Sequence, residues 1–169
     1  MRLRATAAAA AAAAAALLSA SLGAASAQAT KTCTWGGTPA APTGTFKQTG
    51  AGVTNTPSTE PLPFVATGPL AGDCSGTLTY RGVSAAGATC AFGPFEAKAT
   101  GLPGVVRAAG DNIVGLVPAL LYDKSGTVVG SENPQLLTDG TEERNFLFRD
   151  CNSPEGFKEG HFSSVIELF

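Results

Sequence analysis

The sequence predicts an all-β fold: a single antiparallel β-sandwich or barrel of about eight to ten short strands, braced by two disulfides. Three observations carry that reading. Beyond residue 27 no stretch sustains an apolar period of 3.6 residues. Several segments alternate instead with period 2. Finally, 21 glycines and 11 prolines in 169 residues recur at the spacing of strands joined by tight turns.

Residues 1–27 stand outside that fold. Arg2 and Arg4 make a short basic region, Ala5 to Leu22 an Ala/Leu-rich core, and Ala25-Ser26-Ala27 a cleavage signal, so this segment reads as a signal peptide. Cleavage after Ala27 leaves residues 28–169 as one secreted domain, and cleavage after Ala29 is the next choice. No later apolar run reaches the roughly 18 residues a membrane-spanning helix needs. The expected product is exported, released and monomeric.

The rest of the chain divides as follows. Gln28 to Thr45, with Gly36-Gly37, Pro39 and Pro42, is expected to be irregular, and Trp35 to cover a disulfide rather than bind a ligand. Short extended segments follow at Thr45–Thr49, Val53–Thr56 and Leu62–Thr67. Gly68 to Asp73 reads as a loop. Thr77–Arg81 alternates, as does Phe95–Thr100, whose preceding Pro94 confines its start to an edge or a bulge. Val105–Ala109 is a further short strand.

Asn112 to Gly130 is the densest apolar run of the mature chain and contains its own turn, Asp123-Lys124-Ser125-Gly126. It reads as a hairpin at the centre of a sheet, with strands at Ile113–Tyr122 and Thr127–Val129. Asn133–Glu143 is polar and loop-like, Arg144–Cys151 a strand, Asn152–Gly160 a Pro/Gly loop. Phe162–Phe169 closes the fold.

Four cysteines, Cys33, Cys74, Cys90 and Cys151, imply two disulfides in an exported chain and allow three connectivities. The spacing favours Cys74–Cys90, across one strand and loop, with Cys33–Cys151. A metal centre is not expected, because no pair has Cys-x-x-Cys spacing and His161 is the only histidine.

Charge excludes some partners. After cleavage 9 Lys/Arg face 13 Asp/Glu, a net of −4, and the charges are scattered singly along the chain. Nucleic-acid binding calls for clustered cations, so no nucleic acid is expected, and no anionic membrane surface either.

No catalytic constellation stands out. Gly82 to Gly87, around Ser84, misses the nucleophile-elbow pattern by one residue. Gly72-Asp73-Cys74-Ser75-Gly76 echoes a serine-protease signature, but a cysteine holds the nucleophile's place. His161, the sole imidazole base available, reads as a polar residue opening a strand. Asp139, Glu142 and Glu143 fall in a polar loop, where solvated charge is the ordinary explanation. Asp123-x-Ser125 with Glu132 has a passing likeness to a calcium loop, but the glycine is out of place and a hairpin turn fits better. No phosphate-cradling Gly-rich loop precedes a helix, and no cofactor is expected.

Thr32 to Gly37, Gly101 to Val105, Leu120 to Asp123 and Phe162 to Phe169 together resemble a group of small exported actinobacterial proteins of uncharacterised function. The likeness spans nearly the whole mature chain and implies export. Leu121-Tyr122-Asp123 and Ser163-Ser164-Val165 also resemble, in kind, the subtilisin-inhibitor-like secreted inhibitors, which implies a protease inhibitor. That family anchors its inhibitory loop with a cysteine just ahead of it, and none lies near Pro118. The expectation is a non-catalytic, disulfide-stabilised binding module for an unknown ligand or extracellular protein. A secreted inhibitor is the alternative and a hydrolase the third reading.

Overall fold

The structure, a computed structural model, describes residues 30–111, 118–136 and 149–169. Its strands are β1 (Lys31–Trp35), β2 (Gly37–Thr38), β3 (Ala41–Pro42), β4 (Gly44–Gln48), β5 (Leu62–Gly72) and β6 (Gly76–Ser84). They continue with β7 (Pro94–Thr100), β8 (Arg107–Asp111), β9 (Ala119–Tyr122), β10 (Val128–Leu136) and β11 (Glu159–Leu168).

β4 to β11 pair in chain order, each antiparallel to the next, and β11 closes on β4 through Glu159↔Lys47 to Phe162↔Gly44. The result is an eight-stranded antiparallel barrel. Closure leaves no open sheet edge, and eight strands enclose a space that side chains can just fill. Of the two architectures the sequence allowed, the barrel is the one formed.

The eighth stave is built from two pieces. β1 pairs with β11 from Lys31↔Leu168 to Trp35↔Ser164 and with β5 at Cys33↔Gly72 to Trp35↔Leu70, and β4 then takes over the same position. Between them the chain makes a small outward excursion, the β2–β3 hairpin. It leaves and re-enters where three backbones crowd together. A Cβ on Gly68 would meet the Gly36 Cα at 2.9 Å, and one on Gly44 would meet the Phe162 ring at 2.7 Å. Gly36 also needs φ +77° to leave the wall. Lys31–Trp35, expected to be irregular, is therefore a strand, because both neighbouring strands supply it with hydrogen bonds.

β5 likewise extends past the expected loop at Gly68 to Gly72. Prolines within it lack a donor, but their carbonyls still accept: Gly36 N–H donates to Pro69 O at 2.9 Å and Thr49 N–H to Pro63 O at 2.8 Å. β10 runs on to Leu136, into a segment whose polarity suggested a loop. Val53–Thr56 forms only one bridge, Val53↔Phe157, and Asp150–Asn152 is a 3-10 turn. The expected strand segments at residues 113–117 and 144–148 lie outside the described residues.

Inside the barrel, Trp35 packs on Tyr80 and on Phe162, both with ring centroids 4.5 Å away, and its indole N–H donates to Leu78 O at 3.0 Å. It is a core ring, in the same buried cluster as Cys33 of the Cys33–Cys74 disulfide. Many surrounding inward positions are small, with Ala66, Ala97, Ala99, Ala108 and Ala119 all buried, which leaves room for the rings. Towards one end Phe46 stacks with Phe64 and Phe157 at 5.4 and 5.9 Å, and loops around Val53 and Phe157 cover them.

The disulfides are Cys33–Cys74 and Cys90–Cys151, with Cα separations of 5.4 and 6.1 Å. The Cys74–Cys90 and Cys33–Cys151 pairing favoured by spacing is not formed. The nine-residue strand β6 lies between Cys74 and Cys90, and at about 3.3 Å per residue it carries them to opposite ends of the barrel. Cys74 follows the β5 residue that pairs with Cys33, whereas Cys90 joins the covered end, where its N–H donates to Thr54 O at 2.8 Å.

Candidate functional site

Alternation on β10 and β11 turns two polar residues inward. Glu132, paired with Ile166 and Ala119, is 3% exposed, and Ser164 on β11 is equally enclosed. Tyr80 reaches the same region from β6. Burial is the main cause that pushes the Glu132 carboxyl up to about 7, while the Ser164 and Tyr80 hydroxyls act in the other direction by stabilising its charge. Burial, then the charge of Glu132 and their contact, hold the Tyr80 phenol well above its usual value. Both hydroxyls are close enough to favour the carboxylate, yet neither is aligned for a regular hydrogen bond with a described residue.

A carboxyl titrating near neutrality is chemically suited to proton transfer. Here it is buried beside Tyr80 and Ser164, in the core that also holds the Trp35 and Phe162 rings. The cluster is a polar knot in a packed core.

The end of the barrel opposite the phenylalanine cover is different. There the β7–β8 turn, the β9–β10 turn and the ends of β1 and β11 surround a groove of about 520 Å³. Val105, Val129 and Leu168 give it an apolar lining, the half-exposed ring of Phe169 stands at its rim, and Lys31 and Asp123 bring opposite charges. Phe169 is held there by its N–H, which donates to Val129 O at 3.0 Å. Asp123 is occupied by its own turn: its carboxylate accepts from the Ser125 hydroxyl at 2.6 Å and from the Ser125 and Thr127 N–H groups at 2.8 and 2.9 Å. The Ser125 and Thr127 contacts lower its pKa. Lys31, by contrast, has no ion pair among the described residues.

The candidate residues from the sequence do not converge. Ser84 is buried at the end of β6; Asp73 accepts from Thr32 N–H at 3.0 Å, and Cys74 beside it is in a disulfide. His161 is an exposed residue of β11 opposite Thr45. Asp123 lies in the hairpin turn and Glu132 inside the barrel, so the calcium-loop likeness dissolves. Among the described residues no three His, Cys, Asp or Glu side chains gather as metal ligands. Asp139, Glu142 and Glu143 lie outside the described residues, and Pro118 is exposed just ahead of β9.

Sequence reasoning missed both the inward Glu132 and the groove. Alternation from Gly130 turns Glu132 inward, but the register shift between the exposed Val128 and Gly130 breaks the pattern that would have signalled it in the sequence. The groove carries no local signal, since four separate segments meet there. No protein-family model, curated protein or solved structure matches the chain.

Proposed function

We propose that this is an exported protein that acts by binding rather than catalysis, taking a largely apolar small ligand with an anionic end into the groove at the mouth of the barrel. The groove is the observation that supports it: a volume in the range of small-molecule sites, an apolar lining, and at its edge a lysine without an ion pair among the described residues. Lys31 would receive the anionic end while Phe169 and Leu168 cover the apolar part. The two disulfides and the signal-like residues 1–27 fit an oxidising, extracellular setting. Among the described residues no helix is long and apolar enough to cross a membrane.

The test is a titration of the mature protein with a dansyl-labelled medium-chain carboxylate, alongside the same chain bearing an ammonium head. Saturable binding that prefers the carboxylate and weakens several-fold in Lys31→Gln and Phe169→Ala is expected. No saturable binding, or binding indifferent to both substitutions, would sink the reading. His161→Ala should leave it unchanged. Export is checked separately by N-terminal sequencing of secreted material, which should begin at Gln28 or Thr30; an intact Met1 would overturn it.

A further inference from the structure

Cations that are scattered in the sequence are gathered by strand register. Lys47 on β4 pairs with Val65 on β5, Val65 with Arg81 on β6, Arg81 with Lys98 on β7, and Lys98 with Arg107 on β8. All four cations share the outward parity of their strands. They therefore form one row across the outer wall, spanning roughly 20 Å at the usual strand spacing.

The ends of this row are neutralised and its middle is not. Lys47 reaches Glu159 at 3.7 Å, and Arg107 contacts Glu96 at 3.0 Å and lies 3.7 Å over the Tyr122 ring. Arg81 and Lys98 stand directly opposite one another and have no side-chain ion pair or hydrogen bond among the described residues. Like charges in directly opposed positions destabilise a sheet, so this pair costs folding energy that an anionic partner would recover.

Two residues along the strands, on the same face, runs a second row, Thr45↔Thr67↔Thr79↔Thr100. The Thr67 and Thr79 hydroxyls bond each other at 2.8 Å, the Thr100 hydroxyl donates to Thr79 O at 3.3 Å, and the row gives the wall a polar, sugar-compatible strip beside the cations.

We propose that the outer wall of β4–β8 binds an acidic polysaccharide, lying across the strands with a sulfate or carboxylate seated between Arg81 and Lys98 and its neighbours over Lys47 and Arg107. A straight row of cations at intervals matches repeated anionic groups better than one small anion. Single-stranded nucleic acid is the less suitable polyanion, because its binders add aromatic platforms for the bases, and the one ring in the row, Tyr122, is covered by Arg107. This surface is separate from the groove, and its failure would leave the groove reading untouched.

The experiment measures binding of mature protein to dextran sulfate, uncharged dextran and oligodeoxythymidylate over a range of salt. Dextran sulfate should bind, dextran should not, and affinity should fall steeply as salt rises. Arg81→Gln/Lys98→Gln should lower that affinity about tenfold or more, as loss of two counterion-releasing contacts implies, with thermal unfolding no lower and slightly raised, since the cross-strand repulsion is relieved. Lys124→Gln, in the β9–β10 turn, should bind as the unmodified protein does. Equal affinity for dextran sulfate and dextran, or an unaffected double variant, would overturn the proposal. So would oligodeoxythymidylate bound more tightly than dextran sulfate.

Discussion

Glu132 on β10 and the Arg81–Lys98 pair on β6 and β7 are ionisable groups without an ion pair among the described residues, but they occupy opposite faces of the barrel wall. Inside, water is excluded and the carboxyl responds by holding its proton, since an ionised buried acid costs several kcal/mol unless well paired. Outside, water and salt reduce the repulsion between the two cations to a small residual. The same sheet thus tolerates one charge by removing it and two others by solvating them. The inner arrangement should govern stability and the outer one association.

The largest expected effect tests whether the inner region depends on its cover. Cys90–Cys151 fastens the loops over the phenylalanine end across a separation of 61 residues. Cys90→Ala/Cys151→Ala should cost about 4 kcal/mol by loop entropy, measured by urea unfolding. A loss under about 1 kcal/mol would show that Phe157 and Val53 hold that end without the bond.

Glu132→Gln comes next and separates the two faces by pH. The folded-state pKa of about 7 lies above the ordinary 4.5, so the folded state binds the extra proton between those values. Stability should then be greatest below about pH 4.5, fall as pH rises towards 7, and level off above it. The full loss is about 3 kcal/mol. Glu132→Gln should abolish that fall and be more stable than the unmodified protein at pH 8. Parallel curves for the two proteins from pH 4.5 to 8.5 would mean that Glu132 is solvated.

Tyr80→Phe sharpens the same point with a smaller effect, about 1 kcal/mol. The Tyr80 hydroxyl favours the Glu132 carboxylate. Its removal should push the carboxyl higher still, so stability keeps falling to a higher pH than before. An inflection moved to lower pH would contradict this assignment of the contact.

Much of this barrel was legible in the chain. The inward faces of Thr77–Arg81 and Phe95–Thr100 follow period 2, and Asp123 to Gly126 form the expected turn. What local pattern could not supply was register. Strand–strand register decides that Lys31–Trp35 is a stave, that Cys33 meets Cys74, and that Lys47, Arg81, Lys98 and Arg107 line up. Those cations lie 9 to 34 positions apart in the sequence, so scanning for charge runs finds none of them. Charge that is scattered along the chain is gathered on the barrel's surface.

The smallest effect concerns that outer row. Lys98→Glu places a carboxylate directly opposite Arg81, turning a repulsive cross-strand pair into an attractive one. Exposed pairs of this kind are worth little, so the gain should be ~0.5 kcal/mol at low salt and should vanish near 1 M, where the screening length falls to about 3 Å. Arg107, opposite position 98 on the other side, already engages Glu96, two residues away on the same face, so the new charge faces Arg81 on β6 and a partly neutralised Arg107 on β8. The same substitution should abolish dextran sulfate binding, because the seat between the two cations becomes an internal ion pair. Stability and binding would then move in opposite directions, which a simple loss of fold cannot produce. If Lys98→Glu instead lowered stability at low salt, the Arg81–Lys98 repulsion would not be the dominant interaction at this position.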